Sequence, residues 1–177
     1  MAQIDDFKAS LVGGGWRSNS FRVTITPPAG IATGIDVRRT SFLCKATTTP
    51  EITLGELELA YRGRKIMVAG DRDTTGDWET TFYADTDMMI LNAIQRWNNG
   101  INDFDTNQGV NSLSDYATDL TAELLDRDDT VLKTYIFKNA WPSKIAGFTM
   151  DASAESAIAD FAVTWKYQNY SISGVNF

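Results

Sequence analysis

Histidine is absent from the 177-residue chain, and cysteine occurs once, as Cys44. Without histidine there is no Ser-His-Asp or Cys-His relay, no HExxH zinc site, and no side chain that ordinarily titrates near neutral pH. One cysteine cannot close an intramolecular disulfide, and with no histidine beside it a structural zinc site is excluded. Cys44 sits in an alternating segment, where a lone cysteine reads as a small buried hydrophobe rather than a nucleophile. Long apolar runs are missing too, since none approaches the roughly 20 residues that span a bilayer. Residues 1–6 lack the basic and apolar regions of a signal peptide. The expectation is a chain made and folded in a cytoplasm, with no membrane partner.

An excess of bases is also lacking. Lys and Arg total 16 against 23 Asp and Glu, for a formal charge of −7. Nucleic-acid affinity needs clustered bases that release counterions from phosphate, so stable nucleic-acid binding is not expected. The charge is unevenly placed. Residues 103–129 carry eight acids and one base, Arg127, whereas residues 1–65 carry nine bases and six acids. This asymmetry suits self-association of unlike surfaces, with Arg62 and Arg64 on one side and Asp126, Asp128 and Asp129 on the other as candidate contacts. A solvated acidic loop explains the same residues.

What is plentiful is short-range alternation. Phe21, Val23 and Ile25 alternate with polar residues until Pro27-Pro28, and residues 41–47 read as a second strand. Leu57, Leu59 and Tyr61 point one way, toward an expected core, while Glu56 and Glu58 point the other. Gly63 permits a turn, and residues 65–69 return as the partner of a hairpin. Residues 70–77 read as a polar turn and 78–83 as another strand. The period then changes: Ile90, Leu91, Ile94 and Trp97 share one helical face, predicting a helix over residues 87–98. Asp85, Thr86 and Asp87 are its N-cap candidates and Gly100 its C′ candidate. Residues 101–115 read as loop, 116–124 and 131–140 as strands around the turn at 126–129, and 161–167 as a closing strand. A single domain over residues 1–177 follows, mainly antiparallel β-sandwich or barrel with one flanking α-helix, preceded by a flexible arm of residues 1–15 ending in three glycines.

No motif completes a catalytic or metal site, and no cofactor is expected. The glycines at 13–15 lack dinucleotide or P-loop spacing. Asp71-x-Asp73-x-Thr75-Gly76 begins like a calcium loop, but Phe82 stands where the bidentate glutamate belongs; Asp103-x-Asp105-x-Asn107 has its glycine one residue late, at Gly109. Glu56 and Glu58 could be imagined as a glycosidase pair, yet two acids on one strand face are ordinarily its wet side.

Several segments, in order, resemble the tail tube proteins of contractile-tailed bacteriophages. They are Cys44-Lys45-Ala46-Thr47-Thr48-Thr49-Pro50, Tyr61-Arg62-Gly63-Arg64-Lys65-Ile66, Gly70-Asp71-Arg72 and Trp78-Glu79-Thr80-Thr81-Phe82-Tyr83-Ala84-Asp85. Trp97-Asn98-Asn99-Gly100-Ile101-Asn102, Tyr135-x-Phe137-x-Asn139-Ala140-Trp141-Pro142 and Phe161-x-Val163-x-Trp165-x-Tyr167 follow. The likeness spans about residues 18–170 and is poorest over residues 1–15 and 103–115. It implies the tail-tube fold, a structural rather than enzymatic role, and six-membered rings stacked into a hollow tube. It also implies Glu56 and Glu58 facing the lumen, a contractile sheath protein outside, baseplate and tail terminator proteins at the ends, and tape measure protein and DNA transiently inside. The expected location is the virion tail, after assembly in the host bacterial cytoplasm. Type VI secretion tubes and other contractile injection systems share the architecture, and a β-sandwich binding module of a tail fibre or baseplate is a further alternative.

Overall fold

Alternating aromatic and β-branched residues pack here as two sheet layers whose inner faces meet. The computed structural model describes residues 3–155 and 157–175. Its elements are α1 (Gln3–Ser10), a 3₁₀ turn (Val12–Gly14), β1 (Phe21–Thr24), α2 (Val37–Phe42), β2 (Cys44–Thr47), β3 (Thr53–Tyr61), β4 (Arg64–Asp73) and β5 (Gly76–Tyr83). α3 (Met89–Ile101), α4 (Leu113–Tyr116), β6 (Thr118–Leu125), β7 (Val131–Ile145), β8 (Asp160–Tyr167) and β9 (Asn169–Gly174) complete it. The strands run β1-β6-β7-β8-β5-β2, with β9 on the other side of β7, and every pairing is antiparallel.

β7 belongs to both layers. Residues 133–138 lie between β6 and β9, whereas Trp141 to Ile145 pair with β8. The strand changes sheets at Asn139, which takes the left-handed conformation (φ 52), and its backbone N–H donates to Asp119 at 3.0 Å. The strand runs past residue 140, where it was expected to end, and Pro142 sits beside a register shift. A proline is tolerated at a bulge, where no ladder N–H is needed.

The core lies between the layers and is closed by α3. Trp78, Phe82, Leu120, Phe137, Val163, Trp165 and Trp97 are buried, and Trp78 stacks on Phe137 at 4.3 Å. Each buried indole N–H has an acceptor: Thr48 O for Trp78, Tyr116 O for Trp97 and Thr80 Oγ1 for Trp165. These side chains can therefore be buried without leaving a polar group unsatisfied.

Several boundaries differ from the sequence expectation. α3 starts two residues late, behind Met88 in a left-handed conformation (φ 50), because Asp85 and Asp87 are drawn onto Arg39 of α2 at 2.7 and 2.8 Å. Gly100 lies inside the helix, which runs on to Ile101, rather than past its end; its lack of a side chain serves packing, since a Cβ there would come within 2.7 Å of Ile31. The expected strand at 41–47 begins only at Cys44, because Asp36 caps α2 by accepting from the Arg39 N–H at 3.1 Å. α2, α4, α1 and β9 were not expected. Residues 1–2 of the expected flexible arm lie outside the described residues, and residues 3–10 are a helix whose side chains from Ile4 to Ser10 are exposed. β4 continues to Asp73, which shortens the expected turn at 70–77 to Thr74-Thr75.

Candidate assembly surfaces

Among the described residues β3 and β4 pair only with each other. Arg62 (φ 48) and Gly63 (φ 80) make the two-residue turn, with both residues in the positive-φ region that a type I′ hairpin demands. Leu57 opposes Val68, Leu59 opposes Ile66 and Tyr61 opposes Arg64, which puts these side chains on one face. The other face pairs Glu56 with Ala69, Glu58 with Met67 and Ala60 with Lys65, and the Lys65 ammonium lies 2.7 Å from Glu58. Leu57, Leu59 and Tyr61 were expected against the core, but they are 53, 46 and 59% exposed. The alternation was real; the hairpin projects from the sandwich, so neither face is covered by the chain's own core. At its base a register shift separates Leu54 from Glu56, and Gly55 faces Gly70 so closely that a Cβ on Gly70 would lie 3.2 Å from the Gly55 backbone.

The other expected contact residues fall into two groups. Arg62 and Arg64 stand at the hairpin tip, the Arg62 guanidinium over the Tyr61 ring. Asp126, Asp128 and Asp129 share the exposed turn between β6 and β7, closed by the Asp126 N–H to Thr130 O bond at 2.8 Å. Hydrogen bonds from Thr130 hold the Asp128 carboxyl below the ordinary carboxylate range. Among the described residues no ion pair joins the arginines to these acids.

A further surface had no linear signal. β1 and β2 end the strand path, and a groove of about 480 Å³ runs between them, lined by Trp16, Phe21, Cys44, Tyr83 and Leu124 among others. Burial pushes the Cys44 thiol up to about 12, so it is a poor nucleophile. Only folding brings residues 16–21, 44–49, 83 and 122–124 together.

The acidic loops have no catalytic geometry. Asp103 accepts from the Asp105 and Thr106 N–H groups, the Thr106 hydroxyl and the Asn99 amide, which hold its carboxyl at about 2. Its oxygens are thus committed to its own loop. Among the described residues no group of three or more His, Cys, Asp or Glu could hold a metal, and no helix is long and apolar enough to cross a membrane.

The family model for phage tail tube protein matches residues 16–173. This chain belongs to the phage tail tube protein family. It is 30% identical over 169 residues to the tail tube protein of Serratia phage KSP90, covering 94% of this chain and 95% of that one. To tail tube protein gp19 of Enterobacteria phage T4 it is 26% identical, covering 91 and 94%. Solved structures with the same fold include an anti-feeding prophage tube-terminating cap (TM-score 0.65, 18% identity, 90 and 91% covered). Another is a chain of the PVC extracellular contractile injection system sheath-tube complex (TM-score 0.63, 16% identity, 94 and 97% covered). The tail tube protein is a structural component, not an enzyme, and the fold is the tail-tube fold.

Proposed function

We propose that this tail tube protein closes into hexameric rings that stack into the hollow inner tube of a contractile tail, through which the genome passes. The observation that carries the reading is the projecting hairpin with a contiguous apolar face. A two-stranded hairpin is at best marginally stable alone in water, and exposed apolar patches of this kind mark interaction surfaces. A neighbouring copy covers the Leu57, Leu59 and Tyr61 face, and the opposite face, with Glu56 and Glu58, turns to the lumen. On that face the base Lys65 is held by Glu58 and Glu56 carries a further carboxylate, so DNA would slide past it with little counterion release to reward binding. Contractile sheath surrounds the tube, baseplate and terminator proteins close its ends, and tape measure protein and DNA occupy the lumen in turn. The tube is built in the host cytoplasm and works in the virion.

The fold neighbours from injection systems favour a second reading as the tube of such a machine. Phage relatives at 30 and 26% identity over nearly the whole chain favour the phage tail. The test is sedimentation and electron microscopy of the purified protein across concentration. Rings and tubes are expected from wild type, and a compact monomer at every concentration would count against the reading.

A further inference from the structure

The N-terminal helix has an apolar face with nothing of its own chain beneath it. Ile4 and Phe7 of α1, continued by Leu11 just past its end, have the i, i+3, i+7 spacing of one helical face. They are 71, 65 and 43% exposed. A helix of eight residues is marginal alone in water and draws its stability from packing that face on something. The arm is fastened beside an unfilled apolar surface. Trp16 lines the groove between β1 and β2, and its indole N–H donates to Leu125 O at 3.1 Å. We propose that α1 is a lid, which in the free subunit swings about Gly13–Gly15 and lays Ile4, Phe7 and Leu11 against Trp16, Phe21, Tyr83 and Leu124 in the groove of its own chain.

The joint between helix and groove is built to turn. Gly13, Gly14 and Gly15 have φ of 65, 75 and 82. Glycine takes positive and negative φ about equally, so three in succession let the chain reverse direction at little cost. Space is not what demands glycine there, since a Cβ on Gly13 would meet nothing and one on Gly15 only the Leu11 side chain at 3.7 Å. In this structure the lid is open, and Trp16 is the part of the arm that lines the groove. The lengths agree with closure. Eight helical residues span about 12 Å, and the four-residue strands β1 and β2 about 13 Å each.

The tether selects the chain's own groove. A linker this short holds α1 at an effective concentration of about millimolar, far above that of a second copy in dilute solution. Polar groups do not oppose the contact. Asp6 and Ala9 lie on the opposite side of the helix and stay in water, while Lys45 and Glu123 at the groove are already paired with Asp160 and Arg22. Closure thus removes two apolar surfaces from water without covering a lone charge.

Burial makes Cys44 a poor nucleophile, so the test moves the thiol to Ala46, which is exposed on the groove. In a chain carrying Cys44→Ser and Ala46→Cys, a second cysteine is placed singly at Ile4, Phe7, Leu11 or Ala9, and the dilute subunit is oxidised with copper phenanthroline. Expected is an intrachain disulfide, seen as a faster-running monomer on a non-reducing gel. It should form several-fold faster from at least one of Ile4→Cys, Phe7→Cys and Leu11→Cys than from Ala9→Cys. No intrachain disulfide from any of the three, an equal rate from Ala9→Cys, or linked dimers in its place would overturn the proposal. Amide hydrogen exchange tests the wild type: residues 5–10 should be protected in the dilute subunit, with protection lost in the variant Ile4→Asp, Phe7→Asp. Exchange at the rate of an unstructured peptide, or equal protection in the variant, would also overturn it. Both measurements are made on the free subunit, so their failure leaves the tube reading standing, and wild-type protein that never assembles contradicts that reading alone.

Discussion

Of the three buried indole N–H groups, only that of Trp165 ends on a side chain, Thr80 Oγ1 at 2.8 Å. Thr80→Val keeps the shape and removes the acceptor, leaving a buried donor unsatisfied at a cost of about 1–3 kcal/mol. Urea unfolding should show a lower midpoint with unchanged slope, and a midpoint equal to wild type would refute the role assigned to this bond. Asp103 makes a second residue-scale prediction. Its carboxyl is depressed to about 2 by the hydrogen bonds of its own loop. The folded group therefore stabilises the loop above the ordinary carboxylate value, and that contribution fades as pH falls through about 2. The NMR signal of the Thr106 amide, which donates to Asp103, should hold through the ordinary carboxylate range and shift only near the lower value. At this scale much was legible in the sequence: Phe161, Val163 and Trp165 alternate with the smaller or polar Ala162, Thr164 and Lys166 and are all buried. The Trp165–Thr80 bond was not, because 85 residues separate its partners.

An element is legible when its own residues decide it and illegible when a neighbour does. The period of Ile90, Ile94 and Trp97 marks α3, whose start was displaced by an arginine about fifty residues upstream. Pro142 carries a stop signal, yet β7, having changed sheets at Asn139, runs on through it beside a register shift. The hairpin's turn and pairing could be read from Gly63 and the alternation, whereas which face is covered depends, on the proposed reading, on another molecule. Leu57→Asp with Leu59→Asp tests that dependence. Because the hairpin lies outside the core, the subunit should keep its thermal midpoint, with a change within roughly 0.5 kcal/mol as for other surface substitutions. Ring and tube formation should be lost. A large fall in the midpoint would mean that the hairpin packs on its own subunit in solution.

The whole molecule carries −7, with its acids concentrated in residues 103–129. Complementary charge between the hairpin tip and the acidic turn would steer encounter and reject wrong pairings more than it supplies affinity. Growth followed by light scattering should therefore slow in high salt, where the Debye length falls from about 10 Å at 0.1 M to about 3 Å at 1 M. Tubes already formed should persist, held by apolar burial and strand pairing. Replacing Asp126, Asp128 and Asp129 together by lysine should slow or stop elongation without unfolding the subunit, and equal growth at every salt concentration would reduce these acids to a solvated turn. The central claim, that the hairpin joins copies into a tube with its acidic face inward, is tested most directly by an electron cryomicroscopy reconstruction of the assembled protein. The account predicts stacked sixfold rings, Leu57 and Leu59 buried against a neighbouring copy, and Glu56 and Glu58 lining the lumen. A tube in which Leu57 and Leu59 face solvent, or in which Glu56 and Glu58 lie on the outer wall, would contradict it.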